Sequence, residues 1–301
     1  MAKKKETIKE KKIVTFYKKN YKKFLILPFI LLIFGISMIV HTVKVDGAIV
    51  YRDISLKGGL SAMVEVDSTM TDAQVQESLE TEFPDNDFAV STLEANNEPI
   101  GYVIETDLEE DLLIPYLEEL FETDLIPGEN YNSNYISPSL SNAFFKQSMI
   151  VMGISFLLMS TVIFLYFRQI VPSSAVILSG IFDIIVTIGV LNLMQFKVSI
   201  AGIGALLMII GYSIDTDVLL TNRLIKEKGT NYFNKTFLAF KTGSLMSFTT
   251  LMAGTAALLL TNSDIIFEIA LILVIGLLVD FISTWVQNAS ILLWWLEKKE
   301  I

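Results

Sequence analysis

Apolar residues in this chain gather into six long runs, separated by polar segments of very unequal length. The runs are Phe24 to Lys44, Met149 to Phe167, Ile170 to Met194, Val198 to Leu220, Phe237 to Leu260 and Ile265 to about Val286. Each is long enough to cross ~30 Å of hydrocarbon at ~1.5 Å per helical residue. The pattern between residues 46 and 143 is different, because no apolar stretch there is long enough to cross. Leu60 to Val66 reads as a strand, followed by Ser68, Thr69 and Thr71 as cap candidates and a helix to about Glu82. Phe88 to Leu93 and Ile100 to Glu105 read as strands flanking a turn at Asn96 and Asn97, and Leu108 to Phe121 as an amphipathic helix. That order, strand, helix, strand, strand, helix, is most of a ferredoxin-like split βαβ unit. The expected architecture is a polytopic α-helical membrane protein of six transmembrane helices, with an α+β ferredoxin-like domain between the first and second. In residue ranges this is a tail at 1–23, a first span at 24–44, the α+β domain at 45–145, a five-helix bundle at 146–296 and a short end at 297–301.

Composition agrees with this pattern: 52% of residues are hydrophobic and the mean hydropathy is +0.54. The net charge of -10 is an average over strongly segregated charge. Residues 1–23 carry ten lysines against Glu6 and Glu10, whereas residues 46–143 hold 22 Asp and Glu with only Arg52 and Lys57 as cations. A Lys-rich tail is first a topology signal, with anionic lipid or a nucleic-acid surface as weaker options; membrane lipid and no nucleic acid are the expected partners. The first run is followed by His41, Thr42, Val43 and Lys44 rather than a small-residue cleavage site, so it reads as a retained span. Arg168, Arg223, Lys226, Lys228, Lys235, Lys298 and Lys299 then fall on the same side as the tail, and Lys197 on the other. The positive-inside rule therefore expects a multi-pass cell-membrane protein with both termini cytoplasmic and the acidic domain outside.

Chemistry narrows to a few charges inside apolar runs, since insertion of an ionisable group costs at least ~2.5–3.5 kcal/mol and marks an ion path, a relay or a buried pair. Asp183 lies about mid-span, ~18 Å from the cytoplasmic edge, while Asp215 and Asp280 come out ~9 Å from it. Asp217, Arg223 and Lys241 join them in the cytoplasmic third. Asp215 and Asp217 are separated by ~200° around the helix, so they face different neighbours. Structural pairing of these carboxylates with Arg223 or Lys241 competes with carriage of protons or ions. Gly202, Gly204 and Gly211 read as packing positions, and Gly58-Gly59 as a turn rather than a phosphate loop. With no cysteine, a lone His41, no nucleophile–base set and no Walker lysine, the sequence points to no enzyme, cofactor or metal site.

Gly211-Tyr212-Ser213-Ile214, the acidic pair after it and Asn222-Arg223 resemble the GYS-[IV]-x-D-[ST]…DR signature of the SecF family of protein-export membrane subunits. Phe167-Arg168-Gln169 with Pro172, Asp183 at mid-span, DISLKGG at Asp53 to Gly59 and the closing ASILLWW fit the same pattern, in order, over nearly the whole chain. The resemblance implies a heterodimer with a SecD-like subunit, a SecYEG-type translocon and secretory preproteins as partners, and coupling to the proton motive force. It makes Asp183, Asp215, Asp217 and Arg223 the relay candidates, with Lys241 and Asp280 as secondary intramembrane charges and Gly58, Gly59, Gly211, Tyr212 and Ser213 as motif positions. The chain departs from the family pattern in reading Asp215-Thr216-Asp217 where members have N-D-[ST]; Asp215 resembles the aspartate of V-D-A-N in SecD, and Asn222 replaces an aspartate. These departures resemble the archaeal branch. A small-molecule or lipid exporter of the same superfamily and a non-transporting scaffold are the alternative functions.

Overall fold

The computed structural model describes residues 17, 19–95, 98–226, 231–261 and 263–299. Most of the Lys-rich tail, the turn at Asn96-Asn97 and Lys228 lie outside the described residues. Two compact units form, one of residues 52–150 with 198–200 and one of the remaining spans.

In the first unit a short helix α1, Ile54–Lys57, leads through Gly58 and Gly59 into β1, Gly59–Glu65. Both glycines have positive φ, +89° and +154°, and a Cβ on Gly59 would collide with the Thr106 carbonyl oxygen, so the turn requires glycine. Leu60, Ala62 and Val64 on β1 are buried, and the residues between them face outward. Helix α2, Asp72–Glu82, starts from a capping box. Thr71 Oγ1 accepts from the Gln74 N–H at 3.4 Å, and Gln74 Oε1 accepts from the Thr71 N–H at 2.9 Å. Strands β2, Phe88–Ala95, and β3, Glu98–Thr106, form a hairpin, and α3, Glu110–Phe121, returns across the sheet to bury Leu113 and Leu117 beside Val75 and Leu79 of α2.

A fourth strand, β4, Tyr131–Ile136, follows α3 where the sequence pattern predicts no strand, and the antiparallel sheet runs β2-β3-β1-β4. The element order is thus β-α-β-β-α-β. This strand lacks apolar alternation because polar contacts fix it: Tyr131 and Ser133 hydroxyls both donate to Glu110 Oε1 of α3, at 2.8 and 2.6 Å. Burial, and then the bond to the Glu110 carboxylate, hold the Tyr131 hydroxyl pKa up at about 12. Lys57 fastens the turn to the sheet through Asp87 at 2.6 Å and Asp107 at 3.4 Å. Desolvation works to lower the Lys57 pKa, but these carboxylates outweigh it and raise the pKa above the ordinary value.

Among the described residues six helices are long and apolar enough to cross a membrane, and the chain is a multi-pass membrane protein. They are α4, Ile26–Val45 within a span from Lys19; α5, Pro138–Phe167; α6, Ile170–Leu193; α7, Ile200–Ile225; α8, Tyr232–Leu260; and α9, Asp264–Ile282. The last continues through a π-helical turn, Ser283–Asn288, into α10, Ala289–Lys299. Helix α5 begins at Pro138, well before the expected Met149, and α7 ends at Ile225 rather than Leu220.

Helix α6 is the most enclosed of the six and α8 the least. Chain elements α4 and α6 meet backbone to backbone: a Cβ on Gly189 would sit 2.6 Å from the Gly35 Cα, and one on Gly35 2.8 Å from the Ile185 carbonyl oxygen. The glycines singled out from sequence do not all serve this purpose, because a Cβ on Gly204 or Gly211 meets nothing within 4 Å. Gly189→Ala should therefore destabilise the protein by about 1–3 kcal/mol through overpacking. Gly204→Ala should be neutral or slightly stabilising in the same detergent unfolding assay. Equal effects of the two changes would contradict the α4–α6 contact.

A buried carboxyl layer between three spans

Helix α6 presents Asp183 at about its middle, α7 presents Ser213, Thr216 and Asp217, and α9 presents Asp280. Positions 213, 216 and 217 share one face of α7 because residues three and four apart lie above one another. Asp183, Asp217 and Asp280 are 0%, 0% and 1% exposed. The π-helical turn after Asp280 completes the layer from the third side. Its wider i to i+5 repeat leaves Ser283, Thr284 and Asn288 all fully buried.

Hydroxyl and amide groups join the three carboxyls. Ser213 Oγ donates to Asp183 Oδ2. Asp280 accepts from Thr216 Oγ1 at 3.2 Å and from Thr284 Oγ1 at 3.1 Å, and Thr216 Oγ1 also lies 3.3 Å from Thr284 Oγ1. Asn288 Nδ2 donates to Asp217 Oδ1 at 2.7 Å. Three bonded groups lie side by side in the layer: Asp183 with Ser213, Asp280 with Thr216 and Thr284, and Asp217 with Asn288. Asp183 Oδ1, Asp217 Oδ2 and Asn288 Oδ1 are buried and have no hydrogen-bond partner among the described residues.

Chemically, the layer holds three buried acids, two of them bonded to hydroxyls that both donate and accept and the third to an amide. Like charges this close in a low-dielectric interior repel strongly, so the number of protons held by the set, rather than by any one member, defines its state.

The sequence-derived candidates divide into two groups. Asp183, Asp217 and Asp280 come together with Ser213, while Asp215 is exposed, as are Gly211 and Tyr212. Arg223 donates to Thr242 Oγ1 at 3.0 Å, Lys241 Nζ stands 5.3 Å over the Phe237 ring, and Gly58 and Gly59 belong to the α+β unit. Asp217 thus meets Asn288, and not the cation partner that the structural-pairing alternative requires. The depth of Asp280 is corrected too. Ser213 is ~18 Å along α7 from Ile225, and Thr216, the partner of Asp280, is one turn away, so Asp280 shares the layer of Asp183. Thr216, Thr284 and Asn288 were missed by sequence reasoning. Their signal was a cluster of polar residues, Ser283-Thr284 and Gln287-Asn288, inside an otherwise apolar run.

A family model described as protein export membrane protein SecD/SecF, C-terminal, matches residues 117–298. The protein-export membrane protein SecF of Methanocaldococcus jannaschii is 35% identical over 283 residues, covering 91% of this chain and 95% of that one. SecF of Methanothermobacter thermautotrophicus is 31% identical over 297 residues, covering 97% and 98%. Among solved structures, SecDF, a translocon-associated membrane protein from Thermus thermophilus, superposes with a TM-score of 0.69 at 18% identity over 93% of this chain. The chain spans 38% of the length of that protein.

Replacing Asn288 by Leu removes the described donor to Asp217 Oδ1 and should destabilise the folded protein by about 1–3 kcal/mol. Adding Asp217→Leu should recover most of that loss, since an apolar pair leaves no stranded acceptor. Additive losses in the double variant would contradict the pairing.

Proposed function

The chain belongs to the SecF family of protein-export membrane proteins, and on that premise we propose that it acts with a SecD-like subunit beside a SecYEG-type channel, using proton movement to assist secretory proteins. In this reading it resides in the cytoplasmic membrane with both termini inside and its acidic α+β domain outside, as the placement of Lys and Arg between the spans supports.

One observation carries the proton-coupled part: the series of carboxyl and hydroxyl groups that links α6, α7 and the π-turn across mid-membrane. A carboxyl group in such surroundings is stabilised in its neutral form by exclusion of water and in its charged form by hydrogen-bond donors. Small relative movements of the three helices exchange these conditions. When water enters from one side the layer loses a proton, and when it closes and opens to the other side the layer regains one. Ser213 and Thr284 serve as carriers, because each hydroxyl is bonded to one carboxyl, Asp183 or Asp280, and can both donate and accept as the helices shift. The helices that carry the layer change their packing with its charge, and that change is the mechanical output offered to the outer domain.

Asp183→Asn and Asp280→Asn should each lower proton-motive-force-dependent export in energised membrane vesicles by at least about tenfold, a loss of ~1.4 kcal/mol in effective coupling. Recovery of the chain with its partner should be unchanged. Ser213→Ala should slow export and leave both carboxyls in place. Wild-type export by both aspartate variants would remove the relay.

A further inference from the structure

The first, fifth and sixth spans leave a cavity of about 420 Å³ between them, toward the end of the first span that carries the Lys-rich tail. Leu27 of α4, Phe237 and Phe240 of α8, and Phe281, Trp285 and Val286 of the sixth span line it. Its floor is the π-helical turn. Tyr17 Oη donates to the Trp285 carbonyl oxygen at 3.0 Å, and the Phe240 ring meets the Trp285 indole edge-on at 5.2 Å. Gly243 admits the indole, because a Cβ there would collide with it. Leu27 and Phe281 at the rim are 48% and 37% exposed, so the cavity opens within the spans, toward hydrocarbon.

An apolar lining alone would accept any chain, and charge at the rim narrows the choice. Lys23 lies four residues before Leu27 and Lys241 four after Phe237, so each shares a helix face with a lining residue. Lys241 turns its ammonium back along α8 to 5.3 Å from the Phe237 ring, as a long cationic side chain does when its head reaches for the polar edge of a membrane. Both lysines are exposed, whereas Lys22 is engaged by Glu297 at 3.3 Å. A cation at the position of Lys241, inside an apolar run, calls for a counter-charge.

We propose that this cavity binds one anionic membrane lipid, with a hydrocarbon chain against Phe240 and Trp285 and the headgroup phosphate between Lys23 and Lys241. The volume is that of a small-molecule site. An acidic head at a basic rim and a chain in an aromatic cleft match both halves of such a lipid. The site lies wholly within one compact unit and needs no export partner.

The chain has three tryptophans, so Trp294→Phe with Trp295→Phe leaves Trp285 as the sole one, and bromine on a lipid chain quenches its fluorescence on contact. The full chain is reconstituted in phosphatidylcholine vesicles with rising fractions of dibrominated phosphatidylglycerol, or of dibrominated phosphatidylcholine. Half-quenching should need about twentyfold less of the anionic lipid, and Lys23→Gln and Lys241→Gln should each shrink that preference about fivefold. Val286→Phe, which fills the cavity and keeps every lysine, should remove most of the quenching. Equal fractions for the two lipids would reduce the cavity to adventitious contact with bulk lipid and overturn the proposal. A preference that Val286→Phe leaves intact would assign the lipid to the basic tail alone, and absence of quenching would mean that protein covers the cavity. Either result would also overturn it.

Discussion

Carboxyl groups have no water to solvate them between packed helices, and the bundle is built around meeting that demand. Asp183, Asp217 and Asp280 are tolerated because Ser213, Thr216, Thr284 and Asn288 turn donors toward them. Supplying those donors constrains much else. The third span must sit at the centre, α7 must keep one small polar face toward it, and the sixth must break α-helical repeat after Asp280 to bring Thr284 and Asn288 inward. The close approach of Gly35 and Gly189 places the first span against α6 on another side.

The hydrogen bonds do not satisfy the layer completely. One oxygen on each of Asp183 and Asp217 is left without a described partner, so the arrangement is held rather than saturated. A fully satisfied polar network rigidifies a core, whereas one with spare acceptors keeps a place for a proton. The same side chains therefore organise the packing and supply the proposed chemistry. On the opposite face of α7, Asp215 meets no such donors among the described residues.

Much of this was legible in the sequence. Hydrophobic runs mark all six spans because bilayer thickness imposes a length that nothing else in the chain approaches, and the charges within them mark Asp183, Asp217 and Asp280 as unusual. The ends were less legible. Leu220 and Val286 close the most apolar stretches, but the helices continue to Ile225 and Lys299 through amphipathic turns, and depths counted from the shorter ends set Asp280 too shallow. The strand Tyr131–Ile136 escaped because its contacts with Glu110 are polar and leave no alternation to read. The π-turn was invisible, since nothing in Ser283-Thr284-Trp285-Val286-Gln287-Asn288 forbids a regular α-helix; the buried acids opposite it select the wider repeat. Serine and threonine in a span also read as packing until their partners are placed in space.

Infrared difference spectroscopy of the purified complex across a pH step tests the central claim most directly, because it detects protons on carboxyl groups themselves. Proton exchange by the layer requires a protonated-carboxyl C=O band that changes with pH and is diminished in both Asp183→Asn and Asp280→Asn. A spectrum with no such band, or one unaffected by either substitution, would contradict a proton-carrying layer and leave these aspartates a purely structural role.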